Sequence, residues 1–528
     1  MQIVWFRRDL RISDNEILEL ATKDDREVLP CFIIDPWFYT QPEISAIRVK
    51  FLFESLENLD TNLRKLGSQL YLFEGESVAV IRQLTRSLIQ EGRIPKLYFN
   101  LDVQVSYGID RDRNILEFYQ QQGKEVHLGK NNFLQEEENY DSLWREYHNY
   151  QEQPLHPTPS YINTPQLNLD LTRITFTELW QKYCPNRNTL SHPFSVLKRR
   201  SLRMTAFRSN KFAGGEDEAR NTLNSFLKGR YRGYHWKMSR PYMTQQGATS
   251  HLSPHLDFGT ISSRSVYQEV KAIAKSLPPQ SKNNYSIKTF LDRLRWHDKF
   301  SQRHYYHPEL AFENRYPEFD QYYSPEELTG QKLEYFTAWC EGQTGYPMVD
   351  ASMRQLNTMG WMNFRMRAMC VTFLCINCGV SWHHGARYFM SKLVDGNIAI
   401  NHWQWQAQAG ITNPMSSTFR IYNPTKNLQD KDPDLIFVRY WIPELRGYSM
   451  SQILAGECTT SYPQPVIDWK QTRKINGKIV SNLRKQVKER LEREGGEEYQ
   501  IAMGAKKTID KYVAAKDKQY QEMKSSQF

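Results

Sequence analysis

The sequence predicts two structural classes in one chain: a doubly wound parallel α/β domain, joined by a long linker to an all-helical domain. Three observations predict it. Over the first 130 residues, short β-rich runs alternate with longer amphipathic ones, an order that implies parallel strands with helical crossovers. From about 131 to 205 the chain turns irregular and proline-rich, as in EQPLHPTPSYINTP and SHPFS, which marks a connector. Beyond it strand signals fade, and helical ones run as far as YPQPVIDW, where Pro463 and Pro465 stop them.

The strands of residues 1–130 read QIVWF, EVLPCFIID, QLYLFEG, KLYFNLD and EVHLG. Between them VKFLFESLENLDTNLRKLG and RDRNILEFYQQQG carry helical patterns. This winding is Rossmann-like, but RRDLRISDN follows the first strand where a G-x-G-x-x-G turn would seat a pyrophosphate. An ordinary dinucleotide site is therefore not expected there. In 206–469 the helical segments are SIKTFLDRLRWHDKFSQRHYY, YPMVDASMRQLNTMGWMNFRMRAMCVTFLC and ARYFMSKLV. Residues 470–528 form a charged helical extension, SNLRKQVKERLEREGGEEYQ and KKTIDKYVAAKDKQYQEM, whose polarity reads as exposed or partly ordered.

Charge points to a polyanionic partner. Against 59 acidic residues stand 69 basic ones, a formal charge of +10, and 15 basic against 8 acidic residues from Lys470 onward put +7 of it in the extension. No stretch approaches the ~18 apolar residues of a membrane span, and MQIVWFRRDLR lacks the apolar core of a secretory signal. A soluble cytoplasmic monomer is the expectation. Seven cysteines form no regular framework. Cys375 and Cys378 lie in the greasy run MCVTFLCINCGV, which reads as buried helix, and nothing completes a metal set.

Four clusters in the helical half carry chemistry. In ATSHLSPHLDFGTIS, Thr249, Ser250 and Ser253 crowd hydroxyls and backbone donors ahead of a helix, an arrangement that suits phosphate and also ordinary capping. GWMNFRMRAM sets Arg365 and Arg367 in an apolar helix, where each needs an acid or a ligand; Asp395 in LVDGN is the nearest acid available to Arg367. FLDRLRWHDKF flanks Trp296 with Arg293, Arg295 and His297, rings and cations that stack bases and hold phosphates. NHWQWQAQAG places Trp403 and Trp405 in a polar run that fits neither a helical nor a strand period.

Taken in order, IVWFRRDLRISDN, TSHLSPHLDFGTIS, GQTGYPMVDASMRQLNTMGWM, ARYFMSKLVDGNIAIN and FRIYNPTKNLQDKDPDLIFVRYWIPEL resemble the photolyase and cryptochrome family of blue-light flavoproteins. The resemblance runs from the first strand to about Trp469. It implies an α/β antenna domain and a helical domain holding U-shaped FAD. It places Asn401 opposite the flavin N5, Trp405 as the ring nearest the flavin and Trp382 as the next in an electron relay. Arg367 and Asp395 match the salt-bridged pair beside the flavin. Tyr234, Thr249, Ser250, Leu252 and Ser253 match phosphate and ribityl contacts, with His251 in the same loop, and Asn397 stands near the adenosine ribose. Trp296 and Arg365 match the walls of the lesion pocket. In the first domain the resemblance allows an antenna pigment: a folate, a deazaflavin or a second flavin.

The implied function is light-driven splitting of cyclobutane pyrimidine dimers in ultraviolet-damaged DNA, with the lesion flipped toward the cofactor and SVLKRRSLRMTAFRSNK on the flanking phosphates. The alternative is a cryptochrome-like photoreceptor that signals to a protein partner through residues 470–528. Four positions depart from the repair pattern. Arg293 replaces a glutamate, Phe364 a polar residue and Ala407 a second pocket tryptophan, and the distal relay position falls on Thr329. Tyr322, Tyr323 or Tyr335 is then the outer carrier. The histidine pair used on the other photolesion is absent from WMNFRMRAM.

Overall fold

The computed structural model describes residues 1–23, 26–102, 106–130, 143–166, 171–185, 212–416, 419–458 and 461–525. The basic run 195–211 lies outside the described residues. Five strands alternate with helices: β1 (Gln2–Trp5), α1 (Glu16–Thr22), β2 (Val28–Ile34), α2 (Ala46–Lys65), β3 (Tyr71–Glu74), α3 (Ser77–Gln90), β4 (Lys96–Asn100), α4 (Ser106–Gln121) and β5 (Val126–Gly129). They pair in the order β3-β2-β1-β4-β5, with every pairing parallel. Central strands of such a sheet are covered on both faces. Accordingly β1 and β2 are buried at every position. All five strands read from the sequence are present.

Where it is described, the connector is more ordered than its composition suggests. Helices Leu143–Gln151 and Phe176–Tyr183 lie within it, the second started by a capping box between Thr175 and Glu178. Tyr147 of the first packs into a cluster with Leu223, Phe226 and Leu252 of the helical domain. Prolines punctuate the segment without dissolving it.

The helical domain is built from α5 (Ser253–Asp257), α6 (Ser263–Ser276), α7 (Lys282–Tyr306), α8 (Gly330–Glu341), α9 (Pro347–Met359), α10 (Phe364–Thr372), α11 (Trp382–Met390) and α12 (Ile398–Gln408). The helical signal over 346–375 is two helices, because Gly360 turns left-handed at φ +63° and Asn363 restarts the chain by accepting from the Met366 amide. After Thr372 the chain runs into a π-type turn, Phe373–Asn377, buried throughout; Cys375 and Cys378 are buried free thiols there. No helix among the described residues is long and apolar enough to cross a membrane.

Two expectations need correction. NHWQWQAQAG belongs to α12, a regular helix capped by Asn397. Its buried face is Ala399, Asn401, His402, Trp405 and Gln406, so the period exists but is written largely in polar residues. Gln406 shows how that is tolerated: its amide nitrogen donates to the carbonyls of Leu310 and Glu313, and its oxygen accepts from the Arg315 amide.

The extension also differs from its reading as exposed. It forms α13 (Trp469–Glu494) and α14 (Gly496–Ser525). Gly477, Val480, Arg484, Val487 and Leu491 of α13 are buried at helical spacing, and the three apolar side chains join the core that holds Trp405 and Trp382. Arg484 donates to four carbonyls, those of Gly410, Thr412, Asn413 and Ser416. The helix thus fastens the turn that follows α12.

The two domains share a core. Phe258, Trp361 and Val394 pack in one cluster with Phe51 and Phe53 of α2. Arg264 of α6 meets Asp14 at 2.6 Å, and the Ser45 hydroxyl donates to the Leu393 carbonyl.

Candidate cofactor and substrate site

The interior of the helical domain brings together residues 140 positions apart, Asp257 and Asn397. Arg367 in α10 donates from Nη2 to both Asp395 oxygens at 2.9 Å, and from Nε to the Met362 carbonyl. The Asp395 side chain is 6% exposed. Two residues on, Asn397 both caps α12 and donates at 3.0 Å to Asp257 of α5. Asp257 in turn faces two cations of the α/β domain, Arg8 at 3.4 Å and Arg48 at 3.9 Å. Burial pulls the Arg48 guanidinium down to about 10 against the opposing pull of Asp257. Sequence reasoning missed Arg48, because its partners lie some 200 residues away and leave no local spacing.

The hydroxyl loop has a scaffold of its own. Arg230 donates to the carbonyls of Gly247, Thr249 and Ser250, which fixes the loop backbone from behind. His251 sits left-handed at φ +58° with Nε2 against the Thr244 carbonyl and its ring on Trp361. Leu252 is buried in the core, Ser253 opens α5 at the surface, and Tyr234 packs edge-on against Phe226 and Phe290. Arg230 was also missed: nothing in KGRYRGYHW separates it from neighbouring cations.

Trp405 is 1% exposed. Its ring lies edge-on to Phe389 (4.9 Å between centroids) and Trp339 (5.9 Å), and a Cβ on Gly385 would come within 2.1 Å of it. Glycine in α11 is what lets the indole in. Asn401 donates to the Ala386 carbonyl at 3.1 Å. Trp382, fully buried, stacks on His383 at 3.9 Å and meets His402 edge-on. Its indole N–H donates to Asn314 Oδ1, while Asn314 donates to the Tyr323 carbonyl. Tyr322 and Tyr323 pack against each other at 4.7 Å. The rings touching Trp405 are therefore Trp339 and Phe389, and Trp382 links outward to the Tyr322 and Tyr323 pair.

A second group lies nearer the surface. Arg293 is exposed and lies over Phe364, itself 41% exposed. Arg365 lies over Phe364 and Tyr422 and donates to the Tyr422 hydroxyl at 2.9 Å. Trp296 is half-buried, stacked on Phe300, with Lys299 over its ring and Tyr512 of α14 edge-on at 5.9 Å. The Trp403 ring carries the Arg303 guanidinium at 3.8 Å.

Several buried donors have no partner within the protein: Thr249 Oγ1, Arg48 Nη1, Arg365 Nε and Trp405 Nε1. An unpaired buried donor costs about 1–3 kcal/mol. The Thr249 hydroxyl and the Arg48 guanidinium are donors that suit phosphate oxygens, and the Trp405 indole suits a polar aromatic ring, as FAD has both; Arg365 belongs to the surface group. Such donors, in a helical domain packed against a parallel α/β domain, fit the class of proteins that hold a phosphate-bearing aromatic cofactor.

The chain belongs to the DNA photolyase and cryptochrome family. The DNA photolyase domain matches residues 2–150, and the FAD binding domain of DNA photolyase matches residues 290–482. A deoxyribodipyrimidine photo-lyase of Synechococcus sp. is 29% identical over 507 residues, covering 92% of this chain and 98% of that protein. A class III photolyase from Agrobacterium tumefaciens superposes with a TM-score of 0.76 at 26% identity, over 92% of this chain and 98% of the other. An archaeal photolyase from Sulfolobus tokodaii, solved with two FAD molecules, gives 0.71 at 27% identity over 91% of this chain and all of the other.

Proposed function

We propose that this protein is a deoxyribodipyrimidine photo-lyase, a light-driven enzyme that splits cyclobutane pyrimidine dimers in ultraviolet-damaged DNA. The observation that carries the reading is the pair of arginines in α10. Arg367 is turned inward and held by a carboxylate; Arg365, two residues away, is met by a hydroxyl and rings and keeps a free charge toward the surface. When bound and reduced, FAD supplies the light-driven electron that opens the dimer ring and takes it back. The protein holds both partners of that exchange.

Thr249, Ser250 and Ser253, with the loop amides that Arg230 positions, take the phosphates and ribityl chain. Arg367 and Asp395 would hold the flavin ring, and Asn401, whose amide NH₂ donates to the Ala386 carbonyl, would present its amide oxygen to it. Trp405 and Trp382, with Trp339 the indole in contact with Trp405 and with Tyr322 or Tyr323 outermost, would pass an electron inward to keep the bound cofactor reduced. Trp296, already packed by Phe300, Lys299 and Tyr512, walls the lesion pocket, and Arg365 with Arg293 holds the phosphates of a flipped base. Arg293, in the position of the family's glutamate, changes how the lesion is gripped rather than the electron chemistry.

The antenna site of the α/β domain would accept a second flavin, as in the Sulfolobus tokodaii photolyase, which was solved with two FAD molecules. The protein acts as a cytoplasmic monomer. As an output arm for a signalling partner, residues 470–528 are poorly suited, since α13 is fastened through Arg484 and three core side chains. The test is illumination of the reduced, FAD-loaded protein with a dimer-bearing oligonucleotide under blue light. Intact thymines should reappear, with none in the dark. Binding without restoration would defeat the reading.

A further inference from the structure

The last helix, α14, lies wholly beyond Trp469, where the family resemblance stops. Gly495 and Gly496, left-handed at φ +62° and +74°, end α13 and turn the chain at angles other residues rarely adopt. The turn lays α14 along α7, the helix that carries Arg293 and Trp296. A helix kept only as cover buries an apolar stripe. Among the described side chains of α14, only Ala502 and Met523 are buried. Its contacts with α7 are instead polar and aromatic, and they fall beside the lesion pocket.

Four residues set the register. Asp292 and Trp296 stand one turn apart on α7, and Tyr512 and Lys516 one turn apart on α14. Lys516 pairs with Asp292, and the Tyr512 ring meets the Trp296 indole edge-on with 5.9 Å between centroids. The indole N–H is hydrogen-bonded to the Tyr512 hydroxyl. Further along, Tyr520 packs on Tyr285 with centroids 6.3 Å apart, so the two helices run antiparallel. At the other end of α14, Glu498 pairs with Arg315 and Arg490. Phe300 and Lys299, which also pack on Trp296, belong to α7 itself and move with it. Tyr512 ties the indole to a second helix.

We propose that Tyr512 is a positioning residue of the lesion pocket, fixing the Trp296 indole at the angle that a flipped pyrimidine dimer meets. The inference rests on the repair reading and adds a residue of the C-terminal helix to the substrate site. An indole whose N–H is engaged and whose edge is packed has lost its rotational freedom before the lesion arrives, so binding does not bear that ordering cost. The gain falls to the damaged duplex, because only a flipped base reaches the indole. A lid over the pocket is the less suitable reading. Beside α14, Arg293 and Phe364 stay exposed, so the helix lines the pocket without closing it.

The test uses the full-length, FAD-loaded protein in the dark, with affinity measured for a dimer-bearing duplex and for the same duplex undamaged. Tyr512→Ala should lower the preference for damage about tenfold, through loss of the edge contact and the hydrogen bond, with colour and melting kept. Tyr512→Phe keeps the edge and should lose only about threefold. Lys516→Gln, which loosens α14 without touching the indole, should lower it about twofold, and together with Tyr512→Phe it decides the question if Tyr512→Ala melts early. An unchanged preference in folded Tyr512→Ala overturns the proposal. So does an equal loss for both duplexes, which a purely structural role gives, and so does tighter binding of both, which marks α14 as a lid. A wild-type protein with no preference for damage would defeat the repair reading itself, whereas a preference that survives Tyr512→Ala defeats this proposal alone.

Discussion

Arg365 and Arg367 sit two residues apart in one helix, yet they belong to two regions with opposite electrostatic habits. Inside, the cation is closed: Arg367 has both oxygens of Asp395 and the Met362 carbonyl. Outside, the cations are open: Arg293, Arg365 and the head of α13 are met by rings, a hydroxyl or water. A closed charge builds a pocket for a cofactor, because its orientation is fixed before anything binds. An open charge waits for a polyanion. The contrast locates cofactor and DNA on the two sides of α10.

The largest effect should come from breaking the closed side. Arg367→Met leaves the Asp395 carboxylate buried without its cation, an error worth about 3–5 kcal/mol. The purified variant should melt earlier and come out pale. Arg367→Lys should recover only part, since a lysine cannot make the two-oxygen fork. A yellow variant with unchanged melting would show that the pair is dispensable. Arg365→Met should leave colour and melting alone while dimer affinity falls by about tenfold, or 1.4 kcal/mol; equal effects of both substitutions on colour would erase the distinction.

A smaller, graded effect concerns acid. Burial lowers His255 and His402 to about 3, and His304 and His383 to about 4, from 6.5. Each folded pKa is depressed, so the unfolded chain takes up protons first as pH falls. The stability these neutral rings contribute is complete above pH 6.5 and is lost progressively toward pH 4. Melting followed from pH 7 to 4.5 should show a drop of several degrees; a flat profile would mean these rings already ionise in the fold.

The same contrast governs what the sequence discloses. The five strands are legible because β1, after Gln2, and β2 are apolar runs, and burial on both faces demands that. The Arg367–Asp395 pair was within reach, since an arginine in a greasy helix must find an acid. The buried face of α12 was not, because Asn401 and Gln406 hide their polarity in hydrogen bonds to carbonyls outside the helix and His402 bonds the Ile398 carbonyl one turn back. Nor was the packing of α13, where Val480, Val487 and Leu491 are diluted by lysines that composition counts and periodicity barely registers. Arg48 meets a charge about 200 residues along the chain and Arg230 holds the backbone of a loop 17 to 20 residues on, and no local motif announces either role.

The division between an electron-carrying interior and a DNA-holding exterior is tested most directly by Trp405→Phe, assayed twice on one preparation. Blue light with a reductant should no longer reduce the oxidised cofactor, while protein reduced chemically beforehand should still restore thymines at the wild-type rate. Photoreduction that persists without this indole, or repair lost together with it, would contradict the division.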